Sequence, residues 1–234
     1  RALRPVGDVF VVAPDRERSA AGHSLTLSRP LRVSHIDDGW YSVDGTPTDC
    51  ITLAVMGLLP RRPHLVAAGI NHGSNMGDDV TYSGTVSSAI EATLQGIPAF
   101  AISVAGEGEL DFQSAARFAP RLAEEILRRG LPRDTLLNVN VPNLPPEAIQ
   151  GVAVTRQGRR VYSETVVRKI DPRGKAYYWI GGTDPTWERP GGTDYEAVSS
   201  GWISLTPLHL DLTNHRVIDE LKAWGLSLNG GPPA

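Results

Sequence analysis

The sequence is poor in cysteine and has no long apolar run, and each absence excludes a class of protein. Cys50 is the only cysteine, so an internal disulfide is excluded and a reducing, cytoplasmic setting is expected. No charge-free apolar stretch reaches the roughly 20 residues of a membrane-spanning helix, so no membrane partner is expected. Because apolar Ile51 follows it, Cys50 is interpreted as a small buried core residue rather than a nucleophile.

An excess of charge of one sign is also missing. The formal net charge is -3 and the isoelectric point is near 6.1, which argues against a broad basic surface for a nucleic-acid polymer. Any nucleic-acid component that the protein recognises is therefore expected to be small. The hydrophobic content of 41% suits an ordinary globular protein with one core, or a core and a smaller appendage.

What the sequence does contain is an alternation of strand-like and helix-like segments over residues 1–150. Apolar runs at residues 8–13 and 65–70 predict buried strands, the first of them buried on both faces. Thr46 is suited to cap a helix over residues 50–59, with Pro47 at its first position. Further helices are predicted at 85–95 and 112–129, and strands at 97–104 and 136–141. The alternation predicts a Rossmann-like, doubly wound α/β core with a mostly parallel sheet.

The character of the chain changes after residue 150. Loops rich in Gly, Pro, Asp and Arg separate short strand-like runs at 152–155, 165–167, 176–180 and 202–205. We therefore predict a β-rich appendage over 151–206, followed by a C-terminal strand and helix arm with a tail over 207–234. The basic run at 156–160 is interpreted as a solvated hairpin loop, and the aromatic residues 177–179 are expected to fill core and interface.

The most informative segment is residues 69–85, which lie between a predicted strand and a predicted helix. Open α/β sheets bind ligands at such places. Asn71 and Asn75 offer amide oxygens that could coordinate a cation or bond a phosphate, although Asn also commonly forms turns. Ser83, Gly84 and Thr85 would begin the helix, where unpaired amides and hydroxyls suit a phosphate, although a hydroxyl residue there more commonly serves as a plain N-cap.

Other polar residues near these loops carry weaker hypotheses. His23 and His72 could act as acid, base or phosphate contact, or serve as surface residues that form hydrogen bonds. Asp78 and Asp79 are adjacent, point in different directions, and are better interpreted as solvent-facing or capping residues than as metal ligands. A polar loop at 15–24 follows the first predicted strand and contains Ser19.

These motifs together resemble the SurE family of stationary-phase survival proteins, and the resemblance covers nearly the whole chain. It rests on ordered motifs at residues 12–19, 22–24, 45–50, 69–71, 83–86, 137–142, 155–156, 171–174, 178–179, 205–208 and 211–213. The resemblance implies a metal-dependent phosphatase that acts on nucleoside 5'- and 3'-monophosphates, and on short polyphosphate. It also implies one divalent cation, Mg or Mn, and a homodimer or homotetramer formed through the appendage and the C-terminal arm.

The resemblance assigns roles to six residues of the chain. Ser19 and Asn71 match family positions that hold the metal, and Asn75, Ser83, Gly84 and Thr85 are assigned to the phosphate. The family's metal site also has an aspartate pair in an Asn-Asp-Asp-Gly motif on its first strand, which has no counterpart after Arg1, so the catalytic residue stays unassigned. We expect about 20 further residues before Arg1 in the natural protein, enough for a strand, a loop and most of a helix. If Arg1 is the natural start, the alternative is a nucleotide-binding or scaffolding protein without catalysis.

Overall fold

A computed structural model of the chain describes residues 1–161, 166–180, 186–188 and 191–227, and it has a mixed α/β fold. The strands are β1 (Val11–Pro14), β2 (Val33–Asp37), β3 (Trp40–Val43), β4 (Val66–His72), β5 (Ala99–Ala105), β6 (Thr135–Pro142), β7 (Val152–Val154), β8 (Arg160–Val161), β9 (Val166–Ile170), β10 (Ala176–Ile180), β11 (Thr186–Trp187) and β12 (Ile203–His209). The helices are α1 (Pro47–Leu53), α2 (Gly84–Leu94), α3 (Gln113–Arg129), α4 (Asp194–Ser199) and α5 (Ile218–Ala223). Single helical turns of other types lie at Ala54–Leu58, Gly77–Thr81, Pro146–Ala148 and His215–Val217.

The central sheet has five strands in the order β4-β5-β6-β12-β7. Strands β4, β5 and β6 run parallel, β12 runs antiparallel to β6, and β7 runs parallel to β12. The predicted α/β class with a mostly parallel sheet is therefore confirmed. A separate sheet of three strands has the order β1-β3-β2, with β1 parallel and β2 antiparallel to β3.

The core lies on both faces of β5, all of whose residues are buried. On one face, Phe100 and Ile102 pack with Leu122 and Ile126 of α3. On the other face, the alanines of β5 pack against the apolar side of α2, which includes Val86. Both helices lie where the spacing of apolar residues predicts them. This two-sided packing fixes the carboxyl ends of β4, β5 and β6 relative to the start of α2.

Two strands are less buried than the sequence predicts. In β1, Val11 and Val12 are half-buried and Ala13 is exposed, and in β4 only Ala68 is buried. The prediction of fully buried strands at 8–13 and 65–70 is therefore wrong. The physical reason is position, because within the described residues β1 pairs only with β3 and β4 pairs only with β5. An edge strand has a neighbouring strand on one side alone, so its other flank stays open to solvent.

The region predicted as an appendage divides into two parts. Strands β7 and β12, at its two ends, pair within the central sheet. Two small separate sheets lie between them in the sequence, one formed by β8 and β11 and the other by β9 and β10. The assignment of 151–206 to a β-rich appendage stays a prediction. Tyr178 and Trp179 on β10 are 59% and 63% exposed, so they do not fill the core as expected. Residue 165 of the predicted strand 165–167 and residues 228–234 of the predicted tail lie outside the described residues.

Candidate functional site

The loop between β4 and α2 brings two predicted site residues into contact. The hydroxyl of Thr85, in the first turn of α2, donates a hydrogen bond to Oδ1 of Asn71 at 3.1 Å. The amide nitrogen of Asn71 donates to the carbonyl of Gly73 at 2.9 Å, which fixes the orientation of the side chain. The end of β4 and the start of α2 are thus joined through side chains of the predicted metal and phosphate sets.

The start of α2 has the features of an anion site. Ser83 is the N-cap, and its Oγ accepts from the backbone N–H of Val86 at 3.1 Å, so the simple capping role is present. The first N–H groups of a helix lack intrahelical acceptors, and the helix dipole places partial positive charge there. At Gly84, an added Cβ would lie 2.8 Å from Cγ of Pro47, so glycine allows α1 and α2 to approach closely at this point.

The turn after β4 is held by buried side chains from the neighbouring strands. Asn140 on β6 accepts from the backbone N–H of Asn75 at 2.8 Å and donates to its carbonyl at 3.0 Å. Asn138 donates to the same carbonyl at 2.8 Å, and the side-chain amide of Asn75 donates to Ser103 Oγ at 2.7 Å. Asn138, Asn140 and Ser103 are completely buried. The polar backbone of the turn is therefore satisfied inside the core.

A buried carboxylate from α4 holds the next part of the turn. Asp194 is completely buried, and its oxygens accept from the backbone N–H groups of Gly77, Gly158 and Tyr195, each at 2.8 Å. Gly77 has φ of +52°, and an added Cβ would lie 2.8 Å from Trp187, so both the conformation and the space require glycine. The turn thus depends on a residue 117 positions away in the sequence.

The basic run at 156–160 also contacts this turn. The side chain of Gln157 donates to the Gly77 carbonyl at 3.1 Å, the backbone N–H of Arg160 donates to Asp78, and the Arg160 guanidinium pairs with Asp79. The interpretation of this run as a solvated loop is therefore wrong for Gln157 and Arg160. The two aspartates take part in packing between segments of the chain, and within the described residues no cluster of three or more His, Cys, Asp or Glu could hold a metal.

The loop at 15–24 also reaches α2, but with fewer contacts. The backbone N–H of Gly22 donates to the Tyr82 carbonyl at 3.0 Å, and Nε2 of His23 lies 2.9 Å from a carboxylate oxygen of Glu91. Ser19 is exposed and donates to Glu17 at 2.5 Å. Between the described residues, no hydrogen bond joins Ser19 to Asn71. The loop is docked beside the start of α2, while its predicted metal ligand faces solvent.

Two titratable groups near the site have shifted pKa values. Burial raises the pKa of Glu91, but hydrogen bonds from Gln95, His23 and Thr52 outweigh it, and the net pKa lies below the usual value. Burial and the neighbouring charge of Asp49 raise the pKa of the Cys50 thiol to about 12. The thiol is 1% exposed, which confirms the interpretation of Cys50 as a core residue.

His72 is exposed at the end of β4, with its ring centroid 6.1 Å from that of Phe112.

The described residues do not complete a site for a divalent cation. Oxygen donors such as Ser19 Oγ and Asn71 Oδ1 are the type that Mg and Mn take, but such cations usually also require carboxylates. Here each donor is engaged with another partner, Ser19 with Glu17 and Asn71 with Thr85. The assignment of Ser19 and Asn71 to a metal therefore stays a prediction.

Sequence reasoning missed the residues that hold the turn. Asn138 and Asn140 have a detectable signal, because two polar residues on the same face interrupt an otherwise apolar strand. Asp194 has only a weak signal, since an acidic residue in the first turn of a helix is common. Its contact with Gly77 and Gly158 depends on tertiary structure, which the spacing of residues does not reveal.

With this geometry established, the chain was compared with known proteins. Residues 1–164 match the family model described as survival protein SurE. The chain belongs to the SurE family. The 5'-nucleotidase SurE of Geobacter sulfurreducens is 58% identical over 227 residues, which are 97% of this chain and 87% of that protein. The 5'-nucleotidase SurE of Pelobacter propionicus is 55% identical over 224 residues, which are 95% of this chain and 91% of that protein.

The fold agrees with a solved structure of the same family. The crystal structure of the SurE protein from Aquifex aeolicus matches with a TM-score of 0.85 and 48% sequence identity, covering 95% of this chain and 91% of that one. The family resemblance drawn from the motifs is thereby confirmed. Within the described residues, no helix has the length and apolar character needed to cross a membrane.

Proposed function

We propose that the protein is a 5'-nucleotidase that hydrolyses nucleoside 5'-monophosphates to nucleoside and phosphate. The observation that carries this proposal is the contact between Asn71 and Thr85, which joins the end of β4 to the open amides of α2. A phosphate group is the ligand that such a helix start accepts best. The names of the two relatives, both more than half identical over nearly the whole chain, support the same activity.

The residues at the helix start would act on the phosphate oxygens. The amides of Gly84 and Thr85 and the hydroxyls of Ser83 and Thr85 would donate to these oxygens and stabilise the charge that redistributes during transfer. The Asn75 side chain, which already donates to Ser103, would order the turn and approach the phosphate from the strand side. Because the turn is held by buried groups, these donors are arranged before the substrate binds.

The proposal includes several finer parts that come from the family resemblance. The enzyme is proposed to need one divalent cation, Mg or Mn, with Ser19 and Asn71 among its ligands. It is also proposed to accept 3'-monophosphates and short polyphosphate, to work in the cytoplasm, and to form a homodimer or homotetramer through the β-rich appendage and the C-terminal arm. No step of the reaction is assigned to the cation, because the described residues do not complete its site.

A phosphate-release assay on the natural full-length protein tests the proposal. We expect release of phosphate from a nucleoside 5'-monophosphate in the presence of Mn, and its loss after treatment with a chelator. Thr85→Val keeps the shape of the side chain but removes its hydroxyl, so we expect roughly a 100-fold fall in kcat/KM, the usual scale for one transition-state donor. Thr81→Val is the matched control, because among the described residues the exposed Thr81 hydroxyl bonds the nearby Asp78 carbonyl alone.

The outcomes separate the proposal from its alternative. Nucleotide binding without phosphate release would favour a nucleotide-binding or scaffolding protein. If Thr85→Val and Thr81→Val were equally active, a role of the helix start in the reaction would be excluded, even if hydrolysis itself were observed. A fall in both variants together with a lower unfolding midpoint would point to a folding defect and would contradict the assigned role of Thr85.

A further inference from the structure

An arginine-rich pocket lies beside the loop at 15–24, and none of its lining residues is among those assigned above to the phosphate. It has a volume of about 520 Å³, and its lining consists of four arginines, one aspartate and one proline: Arg16, Arg18, Arg29, Arg32, Asp44 and Pro30. The arginines come from two segments, the loop itself and the approach to β2. Arg18 immediately precedes Ser19, so the pocket adjoins the loop that carries the predicted metal ligand.

Two carboxylates organise the arginines without using all of their donors. Asp44 accepts from Arg29 at 2.9 Å and from the backbone N–H of Arg32 at 2.8 Å, and its carbonyl accepts from Arg18 at 3.0 Å. Asp15 accepts two hydrogen bonds from Arg16, at 3.0 and 3.1 Å. Within the described residues, the guanidinium of Arg32 makes no hydrogen bond and no ion pair. The pocket therefore has a cationic group with open donors.

The local charge remains positive after these pairs are formed. The pKa of Asp44 is lowered, first by the hydrogen bond from the Arg32 backbone and also by Arg29, and the pKa of Asp15 is lowered chiefly by Arg16. Both carboxylates are therefore ionised at neutral pH, and the four arginines still leave a formal excess of two positive charges. A concave site with an excess of guanidinium groups attracts anions, and phosphate oxygens match the planar donor pattern of arginine.

We propose that this pocket is a second anion site, which binds a phosphate group distinct from the one at the start of α2. Arg32 supplies the open guanidinium, and Arg16 and Arg18 supply further charge at the rim. The phosphate group could be free inorganic phosphate or one unit of a condensed phosphate. Binding at this pocket does not require hydrolysis, so it can be tested independently of the proposed nucleotidase activity.

Calorimetric titration of the full-length protein at constant ionic strength tests the site, with orthophosphate, pyrophosphate and tripolyphosphate as probes. Thr85→Val is used as the background, so that the phosphate site at α2 is weakened in every sample. In that background, Arg32→Gln is expected to weaken pyrophosphate binding by roughly tenfold or more, since it removes a charge-assisted pair of hydrogen bonds. Arg133→Gln is the matched control, because Arg133 is a 93% exposed arginine whose charge lies outside the pocket.

The comparison of probes identifies the source of the phosphate. Equal affinity for orthophosphate and pyrophosphate would assign the pocket to free phosphate, and tighter binding of the longer probes would assign it to condensed phosphate. Equal weakening by Arg32→Gln and Arg133→Gln would mean general charge attraction and would overturn the proposal, as would the absence of binding at millimolar probe. If the protein released no phosphate from nucleoside monophosphates but still bound pyrophosphate through Arg32, only the proposed function would be contradicted.

Discussion

Two regions approach the start of α2, the turn at residues 73–77 and the loop at residues 15–24, and they are held in different ways. In the turn, the backbone N–H groups of Asn75 and Gly77 donate to completely buried side chains, Asn140 from β6 and Asp194 from α4. The loop is docked by the backbone bond from Gly22 and by the contact of the partly exposed His23 with the buried Glu91.

The difference in burial between these contacts divides the site into a rigid part and an adaptable part. Groups that must stabilise charge in a reaction work best when they are fixed before the substrate arrives. The turn and the helix start satisfy that condition, because removing their anchors would leave buried polar groups unsatisfied. The loop at 15–24 does not, since most of its contacts are exposed to water. We therefore assign phosphate binding to the rigid half and expect the loop to order further when ligand binds.

The largest expected effect is the loss of the Asp194 anchor. Asp194→Asn replaces one acceptor oxygen by an N–H donor, which would face the backbone N–H of Gly77 or Gly158. We expect the free energy of unfolding to fall by about 3 kcal/mol, the scale for losing a buried charged acceptor. Urea denaturation measures the change, and Asp219→Asn is the control because that side chain is 92% exposed. A loss below about 0.5 kcal/mol, the usual size of a surface substitution's effect, would show that the turn does not depend on this carboxylate.

A smaller effect is expected at Asn140. Asn140→Ala leaves the backbone N–H of Asn75 without its acceptor, which costs about 2 kcal/mol of stability. Because the turn also positions phosphate donors, kcat should fall more than KM rises, and both can be read from steady-state kinetics. Asn214→Ala serves as the control, since Asn214 is exposed and caps only a short helical turn. If KM alone changed, the turn would be binding substrate without preparing it for reaction.

The smallest effect concerns the docking of the loop and depends on pH. The pKa of Glu91 is lower in the folded protein than its usual value, so its contribution to stability is present above about pH 4.3 and is lost as the pH falls through the folded pKa. Glu91→Gln should therefore cost about 1 kcal/mol at pH 7 and less at pH 4, measured by denaturation at a series of pH values. A cost that does not vary with pH would exclude ionisation of Glu91 as its origin.

The positions of helices and strands could be predicted from the sequence better than their burial and pairing. Apolar spacing located α2, α3, β5 and β6, and Thr46 with Pro47 marked the start of α1, where the capping hydrogen bond is present. Burial at β1 and β4 could not be predicted from apolar runs, because burial depends on how many neighbouring strands a strand has. The same limit applies to the ends of residues 151–206, whose strands pair with β6 and with each other through tertiary contacts.

The candidate site shows a similar division. The motif at 69–85 correctly placed Asn71 near the helix start, because strand and helix are adjacent in the sequence. The anchors Asn138, Asn140 and Asp194 lie 63 to 117 positions from Asn75 and Gly77, the turn residues that they hold, so local patterns carry little information about them. Whether Ser19 joins Asn71 at a cation remains a prediction.

Site-resolved hydrogen exchange tests the rigid and adaptable halves most directly. We expect the amides of Asn75 and Gly77 to exchange only through large-scale unfolding, because their acceptors are buried side chains. The amides of Ser19 and its neighbour Ala20, which lie in the exposed part of the loop, should exchange at least roughly 100-fold faster. Similar protection in the two regions would show that the buried acceptors do not make the turn more rigid than the loop.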